Sequence, residues 1–158
     1  MKTDPTPEHA WLQQLIGEWT YEMEAPGEPG APPQKFTGAE SIRGIGELWI
    51  QGEGRGTTPD GKPAIAFLTI GYNAAKKRYV GTWFGSMMDF LWVYDGSRDG
   101  NVLTLETTGP SFDVEGAMAN YREVIELKSP SERTFTSFVQ GDDGAWKQLM
   151  AMTYRRVK

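Results

Sequence analysis

Turn-forming residues divide this chain into short apolar runs, and their regular spacing limits the fold more than any other feature. Nine clusters of Gly, Pro, Asn and Asp separate ten runs that are rich in apolar and aromatic residues. Such clusters end strands, because Gly and Asn adopt positive φ readily and Pro lacks the amide hydrogen that a sheet needs. Many short runs at this repeat predict an all-β barrel or sandwich. A closed barrel of about ten strands has room for a small ligand.

The runs predict strands that are joined by hairpins. Asp60-Gly61 and Asp143-Gly144 suit tight turns between antiparallel neighbours. We therefore predict a single antiparallel up-and-down β-barrel domain over residues 1–158, in which each strand pairs with the next along the chain. The predicted strands lie at 18–24, 35–43, 47–57, 63–73, 77–84, 87–95, 101–108, 117–128, 132–140 and 145–156.

A short helix is predicted before the first strand. It spans Pro7 to Leu15, with Thr6 as a suitable N-cap and Gly17 as its end. Its apolar residues fall on one face. Because a helix of this length is not stable alone, it must dock, and at one end of a barrel it would act as a plug. We expect residues 1–6 to be disordered.

Composition excludes several classes of function. The net charge of −5 argues against nucleic acid as a partner, because phosphate binding needs clustered Lys and Arg. The chain has no cysteine, which excludes disulfides, Cys-based metal sites and thiolate nucleophiles. No run approaches the ~20 apolar residues of a membrane span. Since no apolar leader precedes the helix either, we expect a cytoplasmic protein without a membrane span.

His9 is the only histidine, so it would have to form a His-based metal site or triad by itself. It has no ligand-spaced partner, and we predict a partly exposed helix residue that makes a local contact. We expect no metal, no cofactor and no catalytic residue.

The order of several short motifs resembles a known family. They are Gly17-Glu18-Trp19, Gly71-Tyr72-Asn73, Arg78-Tyr79, Trp83, Tyr121-Arg122 and Met152-Thr153-Tyr154-Arg155-Arg156. This order is similar to that of the bacterial domain of unknown function 1579 family, in the calycin superfamily, from His9 to Arg156. The resemblance implies a lipocalin-like barrel and brings no established activity. Relatives often carry acidic residues at the positions of Gly85 and Ala151, so their absence here weighs against catalysis.

Two strands lead to specific expectations. The first strand alternates clearly, so we predict that Trp19 is buried at the closed end of the barrel, near Tyr154 or Arg156. The strand at 64–72 is apolar on both faces and needs cover from the lumen on one side and from the helix or a partner subunit on the other. We therefore expect a homodimer.

Aromatic and Met side chains are the candidates for lining a cavity, because they suit an irregular apolar ligand. The predicted ligand-binding residues of this kind are Trp49, Tyr72, Trp83, Met87, Trp92, Met118 and Met150. Met87 follows a turn and is a candidate for the mouth.

Arg122 is the remaining candidate. It shares one face of its strand with Met118 and Val124, and we predict that it points into the lumen. A buried Arg needs an anionic or carbonyl partner. That partner is either Glu106, Glu40 or Glu47, or the carboxylate of a ligand; alternatively, Arg122 faces solvent.

These observations leave three functions open. The favoured one is binding of a small apolar or amphipathic molecule in the lumen, without catalysis. The second is a structural or interaction protein, with a packed barrel that forms a homodimer. The third is a small-molecule isomerase or hydrolase, which the single His and the missing Cys disfavour. The state of the lumen distinguishes them, since only an open one can take a ligand.

Overall fold

Ten antiparallel strands close into a barrel in this computed structural model, which describes residues 2–25, 29–58 and 60–158. The elements are α1 Pro7–Gln13, β1 Gly17–Ala25, β2 Gln34–Ile45, β3 Trp49–Thr57, β4 Pro63–Asn73, β5 Arg78–Gly85, β6 Trp92–Asp99, β7 Val102–Pro110, β8 Met118–Ser129, β9 Glu132–Gln140 and β10 Trp146–Arg156. Each strand pairs with the next along the chain, and β1 also pairs with β10. The predicted all-β up-and-down barrel with a short N-terminal helix is confirmed.

One strand boundary differs clearly from the prediction. The sixth strand begins at Trp92 rather than at residue 87, and residues 86–91 form a connection. Met88 and Phe90 in this connection are half-buried and pack against the core, so an apolar run here covers the end of the barrel instead of extending a strand. The same strand ends at Asp99 rather than at residue 95, and the boundaries of the other strands differ by at most two residues.

The two ends of the barrel are built differently. At the helix end, α1 packs against β3 and β4. At the opposite end, which we call the loop end, the barrel carries the connections that follow β1, β3, β5, β7 and β9. No helix among the described residues is long and apolar enough to cross a bilayer. Residues 2–6 carry no helix or strand, and Met1 lies outside the described residues.

His9 joins α1 to the barrel. Its Nδ1 accepts the backbone N–H of Thr6 at 2.9 Å, so Nε2 carries the ring hydrogen and donates to the carbonyl oxygen of Tyr72, also at 2.9 Å. The side chain is buried, at 2% exposure. The predicted local contact is therefore confirmed, and the predicted partial exposure is wrong because α1 packs against β3 and β4 with His9 in contact with Tyr72.

Trp19 is buried at the helix end, as predicted. It is 1% exposed, and its Nε1 donates to the carbonyl oxygen of Leu15 at 2.9 Å. The guanidinium carbon of Arg156 lies 4.3 Å from its ring centroid. The same guanidinium donates to the carbonyl oxygens of Ile16 and Gln14, which end the helical segment. Arg156 thus fixes α1 to the last strand.

Neighbouring side chains cover much of the outer face of β4. The Trp49 ring occupies the space that a Cβ at Gly71 would need. Phe67 stacks on Phe84 of β5, with ring centroids 5.4 Å apart. Cover for the two-faced strand therefore comes in part from the sheet itself, and the homodimer stays a prediction.

Candidate ligand-binding site

Interior side chains near the helix end form a dry core, which we call the helix half. Leu12 of α1 and Leu15, which follows the helix, cover this half at the helix end. Six aliphatic residues from the strands complete it, and none is more than 5% exposed: Ile42, Ile50, Ile70, Leu103, Leu105 and Ile125. This close packing leaves no site for a ligand in the helix half.

The interior near the loop end, which we call the loop half, is less fully packed. Seven of its inward positions are only partly buried: Tyr21, Met23, Trp83, Ala119, Val139, Met150 and Met152. Because these residues alternate with outward-facing ones along their strands, their exposure is toward the interior of the barrel. Among the described residues, the loop half is therefore less completely covered than the helix half.

Small residues form one wall of the loop half. Gly54 of β3 faces inward, since its neighbours across the sheet are the buried Glu40 and Ala66. A Cβ at Gly54 would find its nearest heavy atom 3.8 Å away, at the carbonyl oxygen of Ala66. At Gly56, by contrast, the Tyr21 side chain already fills the equivalent space. Open space therefore lies beside Gly54.

A cluster of three polar side chains lies on the strands β7, β8 and β9, and we call it the polar cluster. It consists of Thr107, Glu123 and Ser137, each less than 9% exposed. The Ser137 hydroxyl donates to Oε1 of Glu123 at 3.2 Å. Neither Oε2 of Glu123 nor Oγ1 of Thr107 has a hydrogen-bond partner in the described part of the chain. Two buried polar atoms are thus left unsatisfied, which costs about 1–3 kcal/mol each.

Burial favours the neutral form of the Glu123 carboxyl. Desolvation raises its pKa from 4.5 to about 8, although the hydrogen bond from Ser137 acts in the opposite direction. Because Oε1 accepts that hydrogen bond, the proton belongs on Oε2. Burial also raises the pKa of Tyr94 well above its usual value. The negative charge of Glu123 in its ionised form is the second, smaller cause.

A buried ion pair lies between the two halves. Arg133 donates to Glu40, and both side chains are buried. The guanidinium carbon of Arg133 lies 3.8 Å from the ring centroid of Tyr154 and 4.7 Å from that of Trp19. Burial, and next the Glu40 charge, raise the pKa of Tyr154. Since each charge has its partner, this pair supports the floor of the loop half rather than offering a free charge to a ligand.

Four of the predicted ligand-binding residues face the interior. Trp83 and Met150 lie in the loop half. Trp92 lies over Gly109 and donates from Nε1 to the sulfur of Met88 at 3.1 Å. Tyr72 packs against Tyr79 and His9 at the helix end, away from the open space.

The prediction that Arg122 points into the lumen is wrong. Its side chain is 40% exposed on the outer face, where Nε donates to Oε1 of Glu106 at 2.9 Å. Its guanidinium carbon lies 4.1 Å from the ring centroid of Trp146. Tyr121 and Ile125 take the inner face of β8, because they are larger and more apolar than the residues that alternate with them. Two of the alternatives for Arg122 therefore hold, because Glu106 is its partner and the side chain faces solvent.

Three further candidates lie outside the lumen. Met118 shares the outer face of β8 with Arg122 and is 59% exposed. Trp49 covers Gly71 on the outer face, because the inward position beside it belongs to Ile50. Met87 is exposed in the connection after β5. The predicted place of Trp49 and Met118 in the lumen is therefore wrong, whereas Met87 lies at the loop end, where a residue of the mouth is expected.

The polar cluster was not among the sequence-predicted site residues. One signal was available for Glu123, since it lies on the same face of β8 as the apolar residues Tyr121, Ile125 and Leu127. Thr107 and Ser137 carry no such signal, because short hydroxyl residues are frequent on both faces of a sheet.

A groove of about 420 Å³ is lined mostly by outward-facing residues, together with Thr107 and Tyr121 of the inner face. Its lining includes Asn120, Gln140 and Trp146. The amide of Asn120 donates to Gln140 and its oxygen accepts from the hydroxyl of Thr108, so these polar groups are already paired. In the described part of the chain, no group of three or more His, Asp or Glu side chains is placed to hold a metal ion.

A closed up-and-down barrel with one plugged end and one accessible end is the architecture of lipocalin-like barrels. The family described as "Protein of unknown function (DUF1579)" matches residues 4–156, and the chain belongs to this family. No curated protein matches the chain.

Three solved structures show the same fold at low sequence identity. Rv2717c from M. tuberculosis is 14% identical over 98% of this chain and 100% of that chain, with a TM-score of 0.62. The S-type phycobiliprotein lyase CPES from Guillardia theta is 16% identical over 98% of this chain and 94% of that chain, with a TM-score of 0.54. The redesigned β-barrel mFAP0, bound to DFHBI, is 17% identical over 91% of this chain and 100% of that chain, with a TM-score of 0.50.

Proposed function

We propose that this protein binds a small apolar or amphipathic molecule in the loop half of its barrel, without catalysis. The observation that carries the proposal is the contrast within one interior: the helix half is dry, whereas inward side chains of the loop half are partly exposed. Natural cores of this size are closely packed, so a partly open one is a candidate binding site. The open space beside Gly54 faces the same interior.

The lining suits a flat apolar ligand. Trp83, Trp92 and Tyr121 supply rigid aromatic surface, and Met150 and Met152 supply flexible thioethers that adapt to an irregular shape. A similar barrel supports the idea that this architecture can hold a small molecule, because it is bound to DFHBI.

Binding is favoured over turnover by the chemistry of the polar cluster. Glu123 has Ser137 as its hydrogen-bond partner, and within the described residues no His or Lys contacts it. A Ser nucleophile needs an adjacent base that is free to take its proton. The neutral Glu123 carboxyl does not act as one at pH 7.

A second candidate function is a homodimeric interaction protein. Several exposed apolar residues lie toward the loop end on β5 to β8 and their connections: Phe84, Leu91, Val93, Phe112 and Met118. A second copy of the chain would cover them. Sedimentation velocity at tens of micromolar tests this function, and a monomer at that concentration would contradict it.

Titration calorimetry with two probes, DFHBI and 2-ethylnaphthalene, tests the binding proposal. We expect the wild-type protein to bind at least one of them. Gly54→Leu fills the open space from inside and should weaken binding tenfold or more. Glu53→Leu places the same side chain on the outer face of the same strand and should bind like the wild type.

Failure of both probes to bind would overturn the proposal. Equal binding by wild type and Gly54→Leu would also overturn it, since the ligand would then lie outside the loop half. Far-UV circular dichroism of each variant checks that the barrel remains folded.

A further inference from the structure

Glu123 and Thr107 are positioned to recognise something that the chain itself does not provide. Glu123 is 8% exposed and Thr107 is also 8% exposed, yet one oxygen of each has no partner among the described residues. Glu106 pairs with Arg122 and Thr107 with Tyr121 across β7 and β8, so Thr107 and Glu123 are diagonal neighbours on the inner face. The two unpaired oxygens therefore belong to one interior site.

The surroundings of Glu123 keep its carboxyl neutral. Across the sheet it faces Leu105 of β7 and Ser137 of β9, neither of which carries a charge. Two titratable groups, Tyr94 and Tyr121, lie close enough to feel the charge of an ionised Glu123. The pKa of each is raised, and burial is the largest cause in both. Desolvation raises the pKa of Glu123 itself to about 8.

The buried charges elsewhere in the interior are already compensated. Arg133 is paired with Glu40 and lies between two aromatic rings. Nε of Arg133 has no hydrogen-bond partner among the described residues, but Glu40 neutralises the charge of the guanidinium. An anionic ligand would therefore find no uncompensated cation there, and it would lose its own hydration on entering. A cationic ligand would have to ionise Glu123 in a site that favours its neutral form.

We propose that Glu123 and Thr107 donate hydrogen bonds to a neutral ligand that places an acceptor, such as a carbonyl oxygen, at its buried end. Oε2 of Glu123 carries the O–H donor, since Oε1 accepts from Ser137. The Thr107 hydroxyl supplies a second donor. This inference rests on the proposed binding function and specifies the ligand class for the same site.

Four naphthalenes with one skeleton and different end groups test the inference. They are 2-acetylnaphthalene, 2-ethylnaphthalene, 2-naphthylmethylamine and 2-naphthoate, which represent a neutral acceptor, a neutral apolar group, a cation and an anion. At pH 6.5 we expect the ketone to bind about three- to tenfold tighter than the ethyl compound, the range for a neutral hydrogen bond. The cation and the anion should bind more weakly than the ketone.

Two variants and a pH series separate hydrogen bonding from packing. Glu123→Gln keeps an N–H donor and should keep the preference for the ketone, whereas Glu123→Leu should lose it. Thr107→Val keeps the shape of the side chain and should reduce the preference. Above pH 8 the wild-type carboxyl loses its proton, so ketone affinity should fall up to tenfold per pH unit, while Glu123→Gln should stay constant.

Each contrary result has a distinct meaning. Equal binding of the ketone and the ethyl compound would overturn this inference and leave the binding function intact. Tightest binding of the amine, lost in Glu123→Gln, would overturn it in favour of an ionised Glu123, and tightest binding of the naphthoate would overturn it in favour of Arg133. If none of the four compounds binds, the proposed function itself fails.

Discussion

The helix half and the loop half of this barrel are built from the same ten strands but place different residues inside. Along β3 the inward positions change from Ile50 to Gly54, and along β7 they change from Leu103 to Thr107. The bulky end is sealed by α1, and the other end keeps space and unpaired polar atoms. One end of the barrel therefore provides stability, and this allows the other end to carry groups that folding alone does not favour.

Truncation of Trp19 should give the largest loss of stability. Trp19→Ala removes a buried ring and the hydrogen bond to Leu15, and we expect a loss of about 3–5 kcal/mol. Trp83→Ala is the matched change in the loop half and should cost clearly less, because that ring is already half-exposed. Urea unfolding measures both, and equal losses would remove the distinction between the halves.

Disruption of the ion pair between the halves should give the second-largest loss of stability. Arg133→Met leaves the Glu40 carboxylate buried without its cation, which costs about 3 kcal/mol or more. The double variant Glu40→Met/Arg133→Met removes both charges and should recover most of that loss. A double variant less stable than Arg133→Met alone would show that the pair does more than neutralise its own charges.

Glu123 should make the stability of the folded barrel depend on pH. Between its ordinary pKa of 4.5 and its folded pKa of about 8, the folded state binds a proton that the unfolded state has released. Stability therefore falls as pH rises through this window, by about 1.4 kcal/mol per pH unit. The Glu123→Gln variant should lack this component. Parallel stability profiles for the two proteins from pH 5 to 8 would contradict a neutral buried carboxyl.

Replacement of Arg122 should have the smallest effect. The side chain pairs with Glu106 on the outer face, and exposed pairs contribute about 0–1 kcal/mol. Arg122→Met should change the free energy of unfolding within that range and leave probe binding unchanged. A selective loss of naphthoate binding in this variant would show instead that Arg122 takes part in ligand binding.

The closed barrel was predictable from sequence because turns and strand length are local properties. The Asp-Gly turns and the cap at Thr6 act within a few residues, and the structure places hairpins and a helix there. The face of β8 that points inward was predicted wrongly from a short window around Arg122. Over the whole strand, the face with Tyr121 and Ile125 is clearly the more apolar one.

The polar cluster could not be predicted in the same way. Whether Oε2 of Glu123 has a partner depends on which residues of β7 and β9 lie opposite it, and that register is set by the whole sheet. The start of β6 was missed for a related reason. Met88 and Phe90 are apolar because they cover the loop end, a tertiary role that resembles a strand in sequence.

Methyl NMR with 2-acetylnaphthalene shows where a ligand lies in the barrel, because it reports on both halves in one experiment. If the ligand binds in the loop half, we expect ring-current shifts for the methyl groups of Met150, Met152 and Ala66. Those of Ile50 and Ile70 in the helix half should stay unchanged. Shifts confined to Met118 and other outer-face methyl groups would contradict binding in the loop half. Shifts of Ile50 and Ile70 as large as those of Met150 would contradict it as well.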